Sequence, residues 1–169
     1  MVAPHPLPCI EELKEYYEYL PETGELILKK TRCLADKQKI GKPIGSLGGP
    51  NRRKTWMIKH KGKSYYVSRI AWFLMTGIDP GLSLVDHKNR NAQDNKWSNL
   101  RLANETENNY NKIFVGYSKR NDNGLYRVRV TLDKKRITIG NFKIEEEAKK
   151  AAINAQKIFY QEFACLDLE

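Results

Sequence analysis

Val85-Asp86-His87-Lys88-Asn89-Arg90-Asn91-Ala92-Gln93-Asp94-Asn95-Lys96-Trp97-Ser98-Asn99-Leu100-Arg101-Leu102-Ala103-Asn104, continuing as Glu105-Thr106-Glu107-Asn108, is the most informative segment of this 169-residue chain. It is polar and rich in asparagine, side chains that favour turns over packed cores. Something other than its own core must therefore hold it in order. Asn104 with Glu107 three positions later forms a capping-box pattern, which starts a short helix bearing Asn108.

This segment resembles the HNH endonuclease family. The likeness covers an Asp-His pair at a strand end, a polar loop with Asp94-Asn95, a strand through Asn99-Leu100-Arg101 and the helix with Asn108. The resemblance implies a ββα-metal site that hydrolyses phosphodiester bonds with a divalent ion, Mg2+ first and Mn2+ second. Such chemistry needs a deprotonated water, a cation to absorb developing charge and a scaffold that holds both on the backbone. The implied catalytic residues are His87, a general base facing the attacking water, and Asn99, which would accept from the other ring nitrogen and fix the tautomer. The implied metal ligands are Asp86 and Asn108. Many relatives carry histidine at the last position, and an amide oxygen there favours a hard ion over zinc. Asp94 and Asn95 are read as loop braces outside the catalytic set.

Upstream, residues 8–20 show helical spacing between Pro8 and Pro21, and Glu25–Lys30 reads as a strand. A basic, Gly-rich loop spans 37–53; within it Gly45 to Arg53 reads equally well as a phosphate-contacting segment or a solvated turn. Thr55–His60 and Ser64–Val67 form a hairpin around Lys61-Gly62-Lys63. Ser68 is a good N-cap for an apolar helix over 69–76, which Gly77 ends. Glu22-Thr23-Gly24-Glu25-Leu26, Gly41-Lys42-Pro43-Ile44-Gly45 and Tyr66-Val67-Ser68-Arg69-Ile70-Ala71-Trp72 extend the likeness to phage-type HNH proteins, with Ser68 where a histidine often stands.

The net charge is +10, and twelve Lys or Arg between Lys29 and Lys63 face the single acid Asp36. Such clusters lower the free energy of a polyanionic partner by releasing its counterions. Arg52, Arg53 and Lys54 in this region are candidate DNA contacts. Charge alone also allows an RNA-binding protein. Cys9, Cys33 and Cys165 show no C-x-x-C spacing, which predicts reduced thiols in an intracellular, cytoplasmic protein acting at the nucleoid, or in the host cell if phage-encoded. Neither a signal peptide nor a membrane span is expected.

Beyond Ile113 the pattern predicts strands at 116–120, 125–132 and 135–142. A helix follows from Glu145 to about Phe163, with a stripe of Ala148, Ala151, Ala152, Ala155, Ile158 and Phe159. Val115-Gly116-Tyr117, Tyr126-Arg127-Val128-Arg129-Val130, Ile139-Gly140-Asn141-Phe142 and Glu145-Glu146-Glu147-Ala148 resemble the Apetala-type DNA-binding domain of ethylene-response factors. In that family a three-stranded sheet lies in the major groove. Alternation sets Arg127, Arg129 and Thr131, with Arg136 and Thr138, on one face, and Val128, Val130, Ile137 and Ile139 on the other. With Arg120 from the first strand, these cationic-face residues are the candidate DNA contacts.

The combined reading is an α+β protein: an N-terminal HNH domain over 1–111 with its ββα core at about 82–111, then a DNA-binding domain over 112–169. It acts on double-stranded DNA as monomer or homodimer, in a homing or mobile-element role by analogy. The alternative is a non-catalytic DNA-binding or regulatory protein on the same scaffold.

Overall fold

The computed structural model describes residues 5–31, 33–49, 54–111, 116–132 and 134–164. The chain is α+β with small antiparallel sheets, and it divides into two compact units, Met1–Ala103 and Asn104–Glu169.

The first unit opens with α1 (Ile10–Tyr16), whose Leu13 and Tyr16 are buried. The helix expected over 8–20 stops early, because Tyr17–Leu20 is strand β1, paired antiparallel with β2 (Glu25–Leu28). In Tyr17-Glu18-Tyr19-Leu20 the buried tyrosines alternate with an exposed glutamate. That period of two, carried by aromatic strand-formers, prevails over the weak helical pattern. A three-stranded sheet follows in the order β3 (Ser46–Gly48), β4 (Thr55–His60), β5 (Lys63–Tyr66). Part of the expected basic loop is thus a strand, and Leu34–Lys39 is a 3-10 turn. The hairpin turn tightens to Lys61-Gly62, both at positive φ (48° and 79°), as a two-residue turn between twisted strands requires.

Helix α2 (Val67–Thr76) starts before Ser68, which is buried inside it, so Tyr66 and not Ser68 is the cap; Gly77 ends the helix in the left-handed conformation. Leu13, Leu26 and Ile70 form the innermost core. The partly buried Trp72 and Trp97 meet with ring centroids 5.0 Å apart. Buried Arg69 donates to Asp79 Oδ1, Gly81 O and Ser83 O, pinning the turn that feeds β6 (Leu84–His87). β6 pairs antiparallel with β7 (Leu100–Ala103).

Two core phenols give this unit an alkaline limit. The Tyr17 hydroxyl bonds His60 Nδ1 (2.8 Å) and the Tyr19 hydroxyl donates to the Asn95 carbonyl (2.6 Å). Burial pushes both phenols up to about 12. An unfolded phenol titrates near ~10, so their contribution to stability is whole below that pH and is lost as pH rises through about 12. Alkaline unfolding is expected to begin above pH ~10, with far-UV dichroism and tyrosinate absorbance changing together. Ionisation of all the tyrosines in a still-folded protein would contradict this.

The second unit begins with α3 (Glu105–Tyr110), where the expected capping box is present: Asn104 Oδ1 accepts from Glu107 N and the Glu107 carboxylate from Asn104 N. Strands β8 (Tyr117–Lys119), β9 (Tyr126–Leu132) and β10 (Lys135–Phe142) form a sheet in the order β10-β9-β8, backed by α4 (Glu145–Tyr160). The core is Val128 against Ala148 and Ala152, and Val130 against Ala155 and Tyr160. Two departures from the expected pattern matter. Ile158 is 70% exposed, while Gln156 and Tyr160 turn inward in its place. The Tyr110 ring stacks on Tyr160 (centroids 4.1 Å, planes 7° apart), which ties α3 to the compact unit that begins at Asn104.

Candidate active site and nucleic-acid face

The cross-strand register sets Asp86 opposite Arg101 and His87 opposite Leu100. Asp86 is buried, and its Oδ2 accepts from Arg101 Nε at 2.9 Å, with both side chains largely removed from water. Truncating one member of such a pair leaves a buried charge with a lost partner. Arg101→Met is accordingly expected to destabilise the fold by about 3 kcal/mol, read by urea unfolding; a loss under about 0.5 kcal/mol would mean the pair behaves like an exposed one.

Between the strands, residues 88–99 form a loop held by side chain to backbone bonds. Asn99 is buried; its Oδ1 accepts from Asn89 N (2.9 Å) and its Nδ2 donates to Asn89 Oδ1 (3.0 Å) and Asp94 O (2.7 Å). Asn89 in turn donates to Asp94 Oδ2 (2.7 Å), and Lys88 N to Asn99 O (2.9 Å). The expected bond from Asn99 to His87 is therefore corrected: the Asn99 carboxamide closes the loop on itself. A side chain that does reach the imidazole is that of Asn95, whose Oδ1 lies 3.0 Å from His87 Nε2. Asn95 is 2% exposed and does more than brace the loop, the role its sequence position suggests. Nothing in the local sequence separates it from the other asparagines of this loop; the tertiary contact from Tyr19 to its carbonyl does.

An amide oxygen at Nε2 favours the Nε2–H tautomer of a neutral ring. His87 is half-buried. As for a metal, no group of three His, Cys, Asp or Glu that could hold one exists among the described residues. Taken each by itself, the Asp86 carboxylate and the Asn108 amide carry oxygen donors of the kind a hard ion such as magnesium prefers. Asn108 lies on α3 in the second unit, half-buried, with its amide N–H bonded to Asn104 O at 3.0 Å.

On the second unit, Arg127, Arg129 and Thr131 lie on the face of β9 opposite the fully buried Val128 and Val130. Arg136 is in register with Thr131 and Thr138 with Arg129, as alternation requires. A bulge between Thr138 and Gly140 then shifts the register, so that Asn141 pairs with Arg127, while Ser118 flanks Arg127 from β8. These two polar side chains extend the face beyond the expected set. The same edge strand leaves Ile137 and Ile139 37% and 38% exposed, far less covered than their alternation suggests. Arg120 lies just past β8, and its guanidinium forms a forked ion pair with Asp122 Oδ1 and Oδ2, so it is already engaged within its own turn. Lys54 is exposed ahead of β4; Arg52 and Arg53 lie outside the described residues.

No curated protein and no solved structure matches the chain. The family model for HNH endonuclease matches residues 65–110. The match begins in β5 and spans α2, the β6–loop–β7 hairpin and α3. The nuclease-like part is therefore central in the chain, with β1 to β4 ahead of it, and the expectation of an N-terminal nuclease domain is corrected accordingly. The segment that holds Asp86, His87, Asn99 and Asn108 is thus similar to an HNH endonuclease.

Proposed function

We propose that this protein is a divalent-metal-dependent endonuclease acting on double-stranded DNA, with His87 as general base. The observation that carries the reading is the His87 imidazole held by Asn95 Oδ1 inside the segment similar to HNH endonucleases. A neutral imidazole takes a proton from a water and lets the resulting hydroxide attack phosphorus as the leaving oxygen departs. Asp86 and Asn108 would hold the ion, which, when bound, neutralises charge on the phosphorane and the leaving oxygen. Asn99 acts as the loop clasp that keeps the β6–β7 connection in one conformation.

The second unit serves as a targeting module of the Apetala type, its Arg127, Arg129 and Arg136 face laid on DNA with Thr131, Thr138 and Asn141 beside it. Arginine forks suit phosphates and guanine edges, and asparagine suits adenine. Lys54 and the neighbouring Arg52 and Arg53 add backbone contacts. A homing or mobile-element role inside a cell, as monomer or homodimer, is the setting we favour.

One observation supports the rival reading of a non-catalytic DNA-binding protein: Asp86 already has an arginine partner. Retardation and cleavage of one labelled duplex, with and without magnesium, separate the two. The nuclease gives metal-dependent product; a binding protein gives retarded duplex and no product at any ion concentration.

A further inference from the structure

Two groups from outside the segment similar to HNH endonucleases reach the loop that holds His87. Tyr19, on β1, donates its hydroxyl to the Asn95 carbonyl at 2.6 Å in a buried position. The turn between β1 and β2 lies against the same residues. Pro21 O accepts from Trp97 N at 2.9 Å. Gly24, at φ +77°, comes so close that a Cβ there would sit 2.5 Å from the backbone of Asn95 and Lys96. Asn95 is thus gripped from its backbone side by a hairpin and presents its amide oxygen to His87 Nε2 at 3.0 Å.

We propose that Asn95 is the positioning residue of His87, and that the β1–β2 hairpin acts on the reaction through it. The physical reason is over-determination. A half-buried imidazole on a strand end can rotate about its side-chain torsions, and an acceptor at one nitrogen fixes both tautomer and ring plane only if that acceptor is itself immobile. The loop's own bonds from Asn99 and Asn89 fix Asp94, one residue away. The hairpin supplies what they leave out: a strong hydrogen bond to the Asn95 carbonyl and a backbone contact that only glycine allows. Burial holds the Tyr19 phenol protonated up to about 12, so the donor persists throughout any assay range.

The kinetic part of this inference rests on the nuclease reading; the geometric part does not, and the experiment keeps them apart. The full chain labelled with 15N-histidine is compared with Asn95→Ala and Tyr19→Phe above the range in which the ring binds a second proton. The His87 signals are assigned by their loss in His87→Ala. Wild type should show one tautomer, protonated at Nε2. Asn95→Ala should lower the share of the Nε2-protonated form, and Tyr19→Phe should move the same way by less. In single-turnover cleavage the rate constant should fall roughly 10- to 100-fold for Asn95→Ala with duplex affinity kept. A tautomer shift without any wild-type cleavage supports the positioning role while removing the nuclease reading. Unchanged His87 signals in both folded variants, or a tautomer mixture in wild type, would overturn the proposal. Tyr19→Phe, which keeps the ring and its packing, maintains the test if Asn95→Ala does not fold.

Discussion

Replacing His87 with alanine should slow DNA cleavage by roughly 10²- to 10⁴-fold, the range one positioned acid or base supplies, while the affinity for duplex stays as it was. The separation of the two effects follows from placement. His87 sits at the end of β6 with its Nε2 at Asn95 Oδ1, and replacing it removes the proposed proton acceptor while every arginine of the β9–β10 face stays in the chain. Asp86 and its Arg101 partner remain, and with them the local fold. Single-turnover rates and gel retardation on one oligonucleotide read the two quantities independently. Parallel losses of rate and affinity would assign His87 to binding instead.

The triple variant Arg127→Ala, Arg129→Ala, Arg136→Ala should behave in the opposite way. Affinity should fall on the order of 10²- to 10⁴-fold, and the slope of log K against log salt should drop by about one for each arginine that rests on a phosphate. The folded state should be nearly untouched, because the three side chains project from the face opposite Val128 and Val130 and none has an ion-pair partner among the described residues. Arg120→Ala serves as the contrast. Its guanidinium is already held by Asp122, so a much smaller loss is expected. Equal losses for Arg120 and for the sheet arginines would show that general charge, and not the sheet face, carries binding.

What the sequence disclosed divides along the range of the forces involved. Signals confined to a few residues were legible: the Asn104 and Glu107 capping box and the Gly77 helix end are present, and the expected hairpin at Lys61-Gly62-Lys63 differs only in that Lys63 already belongs to the second strand. Patterns that depend on partners were not. Tyr17–Leu20 carries helical and strand periodicities at once, and the pairing with β2 decides between them. The bulge after Thr138 has no local mark beyond a glycine, yet it brings Asn141 into line with Arg127. Within the site, the Asp-His pair was legible by residue type, but the asparagine that serves the imidazole was not. Asn95 and Asn99 are chemically alike, and only the Tyr19 contact and the Asp94 carbonyl assign one to His87 and the other to the loop. The share of α3 in the second unit was hidden likewise, since it depends on Tyr110 meeting Tyr160 fifty residues on.

The reading of the β6–loop–β7 segment as a metal-dependent cutting site meets its most direct test in a plasmid assay. Purified full chain is incubated with supercoiled DNA and magnesium, then with magnesium plus a chelator. Relaxed or linear product that appears with the ion and stops with the chelator is the expected result. Plasmid that stays supercoiled with magnesium and with manganese, in a protein shown to be folded, would contradict it.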